Sequence, residues 1–202
     1  MKIEEEIKNI KEVLTSGGIV AVPTDTVYGL ICDATNEKAV KRLYQLKRRD
    51  LAKPIGIFVK DKLSISSIID LNAVDEKVMD KVNEYMDKYW PGKLTIIFPK
   101  EEKTLQYINL QTKNSVAIRV PKVELLLKLM EEIDFPLAQT SCNVSNEKPY
   151  YKKIDIEKNM KVDYVTDYGI ELLSVELIAS TIISIMGGEI KIIRRGDIDI
   201  ED

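Results

Sequence analysis

The sequence predicts an α/β protein: one domain over residues 1–202, built on a sheet of mixed parallel and antiparallel strands and flanked by helices. Three observations predict it. Short apolar runs of strand length alternate along the chain with amphipathic stretches of helical period. The last two runs, Ser180–Met186 and Glu189–Ile193, are joined by Gly187-Gly188 and read as an antiparallel hairpin, so the sheet is not purely parallel. The 202 residues, 45% apolar and 31% charged, are enough for one core that folds without staples.

The elements follow in order. Ile3, Ile7, Ile10, Val13 and Leu14 recur at helical spacing behind an acidic start, and Gly17-Gly18 stops that helix. Ile19–Val22 reads as a strand buried on both faces, and the polar stretch Pro23–Leu30 as the loop after it. Asn36 caps a helix that buries Val40, Leu43 and Leu46 and carries Lys41, Arg42, Lys47 and Arg48 elsewhere. Ile55–Val59 is the next strand, while Ser64–Asp70 fits no single pattern. Asn72 is expected to cap a helix running through Met86, with Val74, Val78, Val82 and Met86 on one stripe. Tyr89-Trp90-Pro91-Gly92 makes a turn into the strand Leu94–Phe98. Ser115–Val120 is a strand ended by Pro121, Val123–Ile133 a helix, and Leu137–Thr140 another strand. The lysine-rich Glu147–Asp167 reads as loop with short helical pieces.

Composition narrows the chemistry. The net charge of −3 gives no global pull toward nucleic acid or anionic membrane, so an anion site must come from local Lys and Arg. There is no histidine, which removes an imidazole base and an imidazole metal ligand. Cys32 and Cys142 lack a paired metal spacing; no metal site is expected of the protein, and both read as small buried thiols in a reducing cytosol. No apolar run approaches the ~20 residues of a membrane span. Walker-type, G-x-G-x-x-G, kinase and G-x-S-x-G signatures are absent, so a bound nucleotide needs another cradle.

Five sets of residues carry the candidate chemistry. Lys47, Arg49 and Lys53 lie at and beyond a helix end; they complement the helix dipole or reach a polyphosphate. Thr24, Asp25, Thr26 and Tyr28 follow a strand, where α/β folds place ligands, or form a turn held by its own hydroxyls. Ser141 and Asn143 follow another strand and suit a nucleotide edge or a loop cap. Arg119 stands in an apolar run, where it must pair with a carboxylate or face a ligand. Of Arg194 and Arg195, one points to the sheet face and the other away.

In order along the chain, IVAVPTDTVYGL from Ile19, Leu46–Arg49 with Lys53-Pro54, and Tyr89-Trp90-Pro91-Gly92 before Leu94-Thr95 resemble the YrdC-like family. So do Ser115–Pro121, Thr140–Ser145, Ser180–Ile183 and Arg194-Arg195-Gly196. The resemblance covers nearly the whole chain. It implies the YrdC-like (DHBP synthase-like) fold, a twisted open mixed sheet with a positively charged concave face, in the short single-domain form. It implies a threonylcarbamoyl-AMP synthase, which joins L-threonine, bicarbonate and ATP, releases pyrophosphate, and serves t6A at position 37 of tRNAs that read ANN codons. Thr26, Arg119, Ser141 and Ser180 would surround the threonine. Lys47, Arg49 and Lys53 would hold the ATP phosphates, with Lys47 and Arg49 acting in catalysis. Ser115, Asn143, Tyr151 and Arg194 would contact the nucleotide. Mg²⁺ is expected with the phosphates, along with a weak tRNA contact, downstream threonylcarbamoyl-transferase proteins as partners, a cytoplasmic location and no membrane. Three residues depart from the family pattern: Phe58 for the commoner His, Cys142 for Ala, and Asn146 for Gly. Two other functions compete: an RNA-binding module, against which the net charge and the 6% aromatic content speak, and a carbamoyl-transfer domain needing partner modules.

Overall fold

The computed structural model describes residues 2–48, 54–108, 114–145, 147–166, 168 and 178–200. The chain runs as α1 (Ile3–Thr15), β1 (Val20–Val22), β2 (Gly29–Asp33), α2 (Glu37–Leu46), β3 (Gly56–Phe58), two 3₁₀ turns (Leu63–Ser67 and Leu71–Ala73) and α3 (Glu76–Tyr89). It continues as β4 (Leu94–Pro99), β5 (Ser115–Arg119), α4 (Glu124–Glu132), β6 (Leu137–Ser141), α5 (Lys153–Asn159), β7 (Tyr164–Val165), β8 (Thr181–Ser184) and β9 (Lys191–Arg194). The expected Asn36 cap is present, accepting from Ala39 N at 3.1 Å. The expected Asn72 cap is not. Asp75 caps α3 through Lys77 N and Val78 N, and Asn72 sits in the 3₁₀ turn before it, because a carboxylate there reaches two free N–H groups at once. Helix α2 stops without glycine: Lys47 is its C-cap and Arg48 takes φ +45°.

All nine strands share one sheet in the order β7-β1-β2-β6-β3-β5-β4-β8-β9. Pairs β1–β7, β3–β5 and β4–β8 are parallel; the other neighbours are antiparallel, so the mixed sheet is as expected. Two expected loops are shorter than the sequence suggests: Gly29 and Leu30 already belong to β2, and the stretch Glu147–Asp167 contains β7. β2 follows the turn with no breaker of its own, and β7 is two residues long. The Gly187-Gly188 hairpin forms, with both glycines at positive φ.

Strand alternation divides the core. Leu30, Cys32, Ile57, Ala138, Ile96, Phe98, Val116, Ile118 and Ile183 point to the side carrying Val40 and Leu43 of α2 and Val82 and Met86 of α3. Val20, Val22, Ile31, Phe58 and Leu137 point to the opposite side, under α1 and α4. That second helical layer reaches no further than β3, and the same face continues across β5, β4, β8 and β9.

Gly196 fixes where the chain leaves this face. A Cβ there would lie 2.2 Å from Ala179 O and 2.5 Å from Thr181 N, which are backbone atoms that cannot yield. Gly196→Ala is expected to destabilise by at least about 1–3 kcal/mol, read as a lowered urea midpoint with an unchanged slope.

Candidate active site

The uncovered part of the sheet face carries the polar residues. On it, Gly56 of β3, Ala117 and Ser115 of β5, Ile97 of β4, Gln139 and Ser141 of β6 and Ile182 of β8 are partly exposed, while their strand neighbours are buried. Gln139, Gly56 and Ala117 are paired side by side across three strands. The Gln139 side chain lies over Gly56, its Nε2 only 2.4 Å from where a Cβ would stand, so glycine there gives that amide its place on the face.

Two arginines stand on this face. Phe58 pairs with Arg119, and the ring lies 5.8 Å from the guanidinium carbon. Thr95, Ile182 and Arg194 continue across β4, β8 and β9 in register. Arg119 is buried. Its Nε donates to Gly92 O at 2.8 Å, Nη1 to Thr26 Oγ1 at 3.2 Å and Nη2 to Asp25 Oδ1 at 2.5 Å. Burial pulls the guanidinium below its ordinary pKa, and the Asp25 carboxylate opposes that pull. Of the two sequence readings of Arg119, the pairing is present: it is salt-bridged to Asp25.

The 23–28 loop leaves the hairpin of β1 and β2 and crosses the open face to reach Arg119, three strands away. Its local order comes from Thr24. That hydroxyl donates to Val27 O at 2.6 Å and accepts from Thr26 N at 3.1 Å and Val27 N at 3.2 Å. So the turn is held by its own hydroxyl, as one sequence reading had it, while Asp25 and Thr26 turn outward to the arginine. Tyr28, by contrast, is a core residue, its hydroxyl donating to Thr166 O at 3.0 Å.

Arg194 packs on Ser180: Nε and Nη2 donate to its carbonyl at 3.0 and 2.8 Å, and Nη2 lies 3.1 Å from Oγ. Ser180 Oγ in turn lies 2.8 Å from Thr95 Oγ1. The Arg194 pKa is lowered by partial desolvation and then by the charge of Arg119, so the two cations share one electrostatic environment. Arg195 points away to Asp199 at 3.4 Å, as alternation predicted.

Lys47 comes from the other side. α2 lies under the opposite face, and the side chain reaches round the end of β6. Its Nζ donates to Ser141 O at 2.6 Å, to Ser141 Oγ at 3.3 Å and to Asn143 Oδ1. Ser141 Oγ also donates to Asn143 Oδ1 at 2.7 Å, and Asn143 Nδ2 to Glu147 O at 2.6 Å. Lys47 O accepts from Ser145 N at 2.9 Å, which ties the helix end to the 141–145 loop. The sequence motif Ser141-Cys142-Asn143 is thus the seat of Lys47.

The structure brings Thr26 to Arg119, Ser180 to Arg194, and Lys47 to Ser141 and Asn143. Ser115 sits on the same face of β5 as Arg119. Tyr151 is exposed, after Tyr150 N binds Cys142 O. Arg49 and Lys53 lie outside the described residues. Sequence reading passed over Gly92 O and Thr95. Thr95 left a signal, being a polar residue inside an apolar strand. A separate cavity of about 350 Å³ at the far end of β3, lined by Phe58, Lys60, Ser64 and Met130, holds none of these groups except Phe58. Among the described residues no group of three Cys, Asp or Glu side chains could hold a metal ion. Burial pushes the Cys32 and Cys142 thiols up to about 12. Both are therefore expected to ignore a thiol reagent at about pH 8 until denaturant exposes them.

The sequence model of the Sua5/YciO/YrdC family, described as "telomere recombination", matches residues 12–196. The chain belongs to that family. A provisionally named threonylcarbamoyl-AMP synthase of Methanocaldococcus jannaschii is 36% identical over 204 residues, covering 98% of this chain and 91% of that protein. The threonylcarbamoyl-AMP synthase of Pyrococcus abyssi is 30% identical, covering 100% of this chain but 57% of its own length. Among solved structures, P. abyssi Sua5 complexed with L-threonine superposes with TM-score 0.82 at 27% identity, over 96% of this chain and 54% of that one. E. coli YciO, at 20% identity and TM-score 0.77, shares the fold over 97% of this chain and 91% of its own. The chain thus matches the Sua5/YciO/YrdC family over most of its length and spans little more than half of the P. abyssi protein.

Proposed function

We propose that this chain is a threonylcarbamoyl-AMP synthase, condensing L-threonine, bicarbonate and ATP for the t6A modification of tRNA. The observation that carries the reading is the presence of two cationic centres: Arg119 held by Thr26 and Asp25, and Lys47 seated on Ser141 and Asn143. The first suits the carboxylate of an amino acid and the second a polyphosphate. Relatives named for this activity along the whole chain support it.

In the reaction the threonine nitrogen bonds to the bicarbonate carbon and water leaves. A carbamate oxygen then bonds to the α-phosphorus, and the bond to pyrophosphate breaks. Charge moves onto phosphoryl oxygens, so fixed cations stabilise the transition state more than the ground state. No protein nucleophile is needed, which agrees with a chain that has no histidine. Arg119, Thr26, Ser180 and Ser141 hold the threonine. Lys47, Arg49 and Lys53 hold the phosphates, with Lys47 placed to meet the carbamate. Asn143, Ser115, Arg194 and Tyr151 meet the nucleotide. Mg²⁺ bound to the ATP would add positive charge at the phosphates that Lys47, Arg49 and Lys53 hold. Among the described residues no helix is long and apolar enough to cross a membrane. The work is placed in the cytoplasm, where tRNA and the transferase that consumes the product are found; contact with tRNA itself is weak.

The test is pyrophosphate release from ATP and bicarbonate, with and without L-threonine. Threonine-dependent release supports the synthase. A folded protein that binds RNA with a steep salt dependence and releases no pyrophosphate would replace it with the RNA-binding reading.

A further inference from the structure

The Asp25 side chain is 11% exposed and salt-bridged through one oxygen to Arg119, yet its other oxygen, Oδ2, is buried with no hydrogen-bond partner. A buried carboxylate oxygen left without a donor is costly, and in native structures it calls for an explanation. The proton inventory around it supplies one. The single hydroxyl proton of Thr24 goes to Val27 O. In the Thr24–Thr26 contact at 3.0 Å, Thr26 must therefore be the donor. Thr26 Oγ1 has then spent its proton and also accepts from Arg119. It can offer a ligand only its remaining lone pair. Asp25 Oδ2 likewise can only accept. Beside these two acceptors, the Arg119 guanidinium has five N–H groups, of which three are used, one each on Nε, Nη1 and Nη2. One N–H therefore remains on each Nη.

Two acceptors next to two remaining N–H donors match the head of an α-amino acid: an amino group with several N–H donors, and a carboxylate. A hydroxyl has one proton and would leave an acceptor unmet. We propose that Asp25 is a substrate-binding residue whose Oδ2 accepts a hydrogen bond from the α-nitrogen of the amino-acid substrate, while Arg119 takes its carboxylate. The proposal rests on the reading of this face as an amino-acid site. Asp25 then fixes the reacting nitrogen, and its ion pair with Arg119 sets the spacing between the two ends of the substrate head.

The test compares L-threonine with its deamino analogue, which keeps the carboxylate, hydroxyl and methyl but carries hydrogen in place of the amino group. Asp25→Asn keeps an acceptor for Arg119 and removes the charge from the second position. Calorimetric titration is expected to show L-threonine bound at least about tenfold more weakly by the variant, and the deamino analogue bound within about twofold of wild type. Unchanged ATP affinity reports that the variant is folded. Equal weakening of threonine and the analogue would overturn the proposal, because Asp25 would then act only by holding Arg119. So would unchanged threonine affinity. Wild-type protein that takes up ATP but no L-threonine would instead overturn the functional reading, and this assignment with it.

Discussion

Lys47→Met is expected to abolish activity while leaving the fold as stable as before, or more so. Lys47 is 1% exposed, among the largest fully buried side chains. Taking an ammonium out of water costs several kcal/mol, which hydrogen bonds and nearby charge offset only in part. Met has nearly the same length and none of that cost. It does remove the ammonium donor from the Ser141 carbonyl and Asn143 Oδ1, a loss of about 1 kcal/mol, but that carbonyl still accepts from Asn143 N at 3.1 Å and Ser141 Oγ still serves Asn143 Oδ1 at 2.7 Å. The two effects roughly cancel, so the melting midpoint should stay put or rise. The rate should not survive. Removing one preorganised charge from a transition state of this kind costs about 10²–10³ in kcat. Melting curves and threonine-dependent pyrophosphate release on the same preparation check both halves. A variant that keeps more than about a tenth of the wild-type rate would take Lys47 out of the phosphate site. A variant that melts far lower would make it a structural residue instead.

Arg119→Ala is expected to do the opposite and damage both properties. Asp25 is then a largely buried carboxylate with Oδ2 already unpaired and Oδ1 newly so. Breaking one side of a buried ion pair costs about 3–5 kcal/mol, or roughly 6–20 °C in midpoint for a chain of this size. Threonine binding should be lost at the same time. The double variant Arg119→Ala with Asp25→Ala discriminates the cause. If the orphaned carboxylate is responsible, the double should be more stable than Arg119→Ala alone. Additive losses would show that the cavity, and not the charge, sets the cost.

The local parts of this molecule were legible in its sequence because local chemistry decides them. Asn36 before an apolar period caps a helix, and two glycines between apolar runs make a hairpin. Asn72 misled because two capping residues stood three apart and the carboxylate won. β2 was hidden because GLICD follows a polar loop without punctuation, and its strand character comes from Leu137–Ser141, more than a hundred residues away. The site was legible as a set of residue types but not as pairs. That Arg119 would meet Asp25, among the 33 Asp and Glu of the chain, depends on a loop crossing three strands. Lys47 meeting Ser141 depends on β6 ending where α2 ends. Neither has a signature in one sequence.

That crossing loop has a kinetic consequence. Asp25 and Thr26 belong to the first hairpin, Lys47 to the helix after it, Arg119 to a central strand, and Ser180 and Arg194 to the far edge. No two of these centres are joined by a short stretch of chain, so each loop closure must be completed before the next contact can reward it. Refolding should therefore regain helical signal early and ligand binding only in the slowest phase. L-threonine, added during refolding, should slow unfolding without speeding folding, because nothing it touches exists until the last strands are in place.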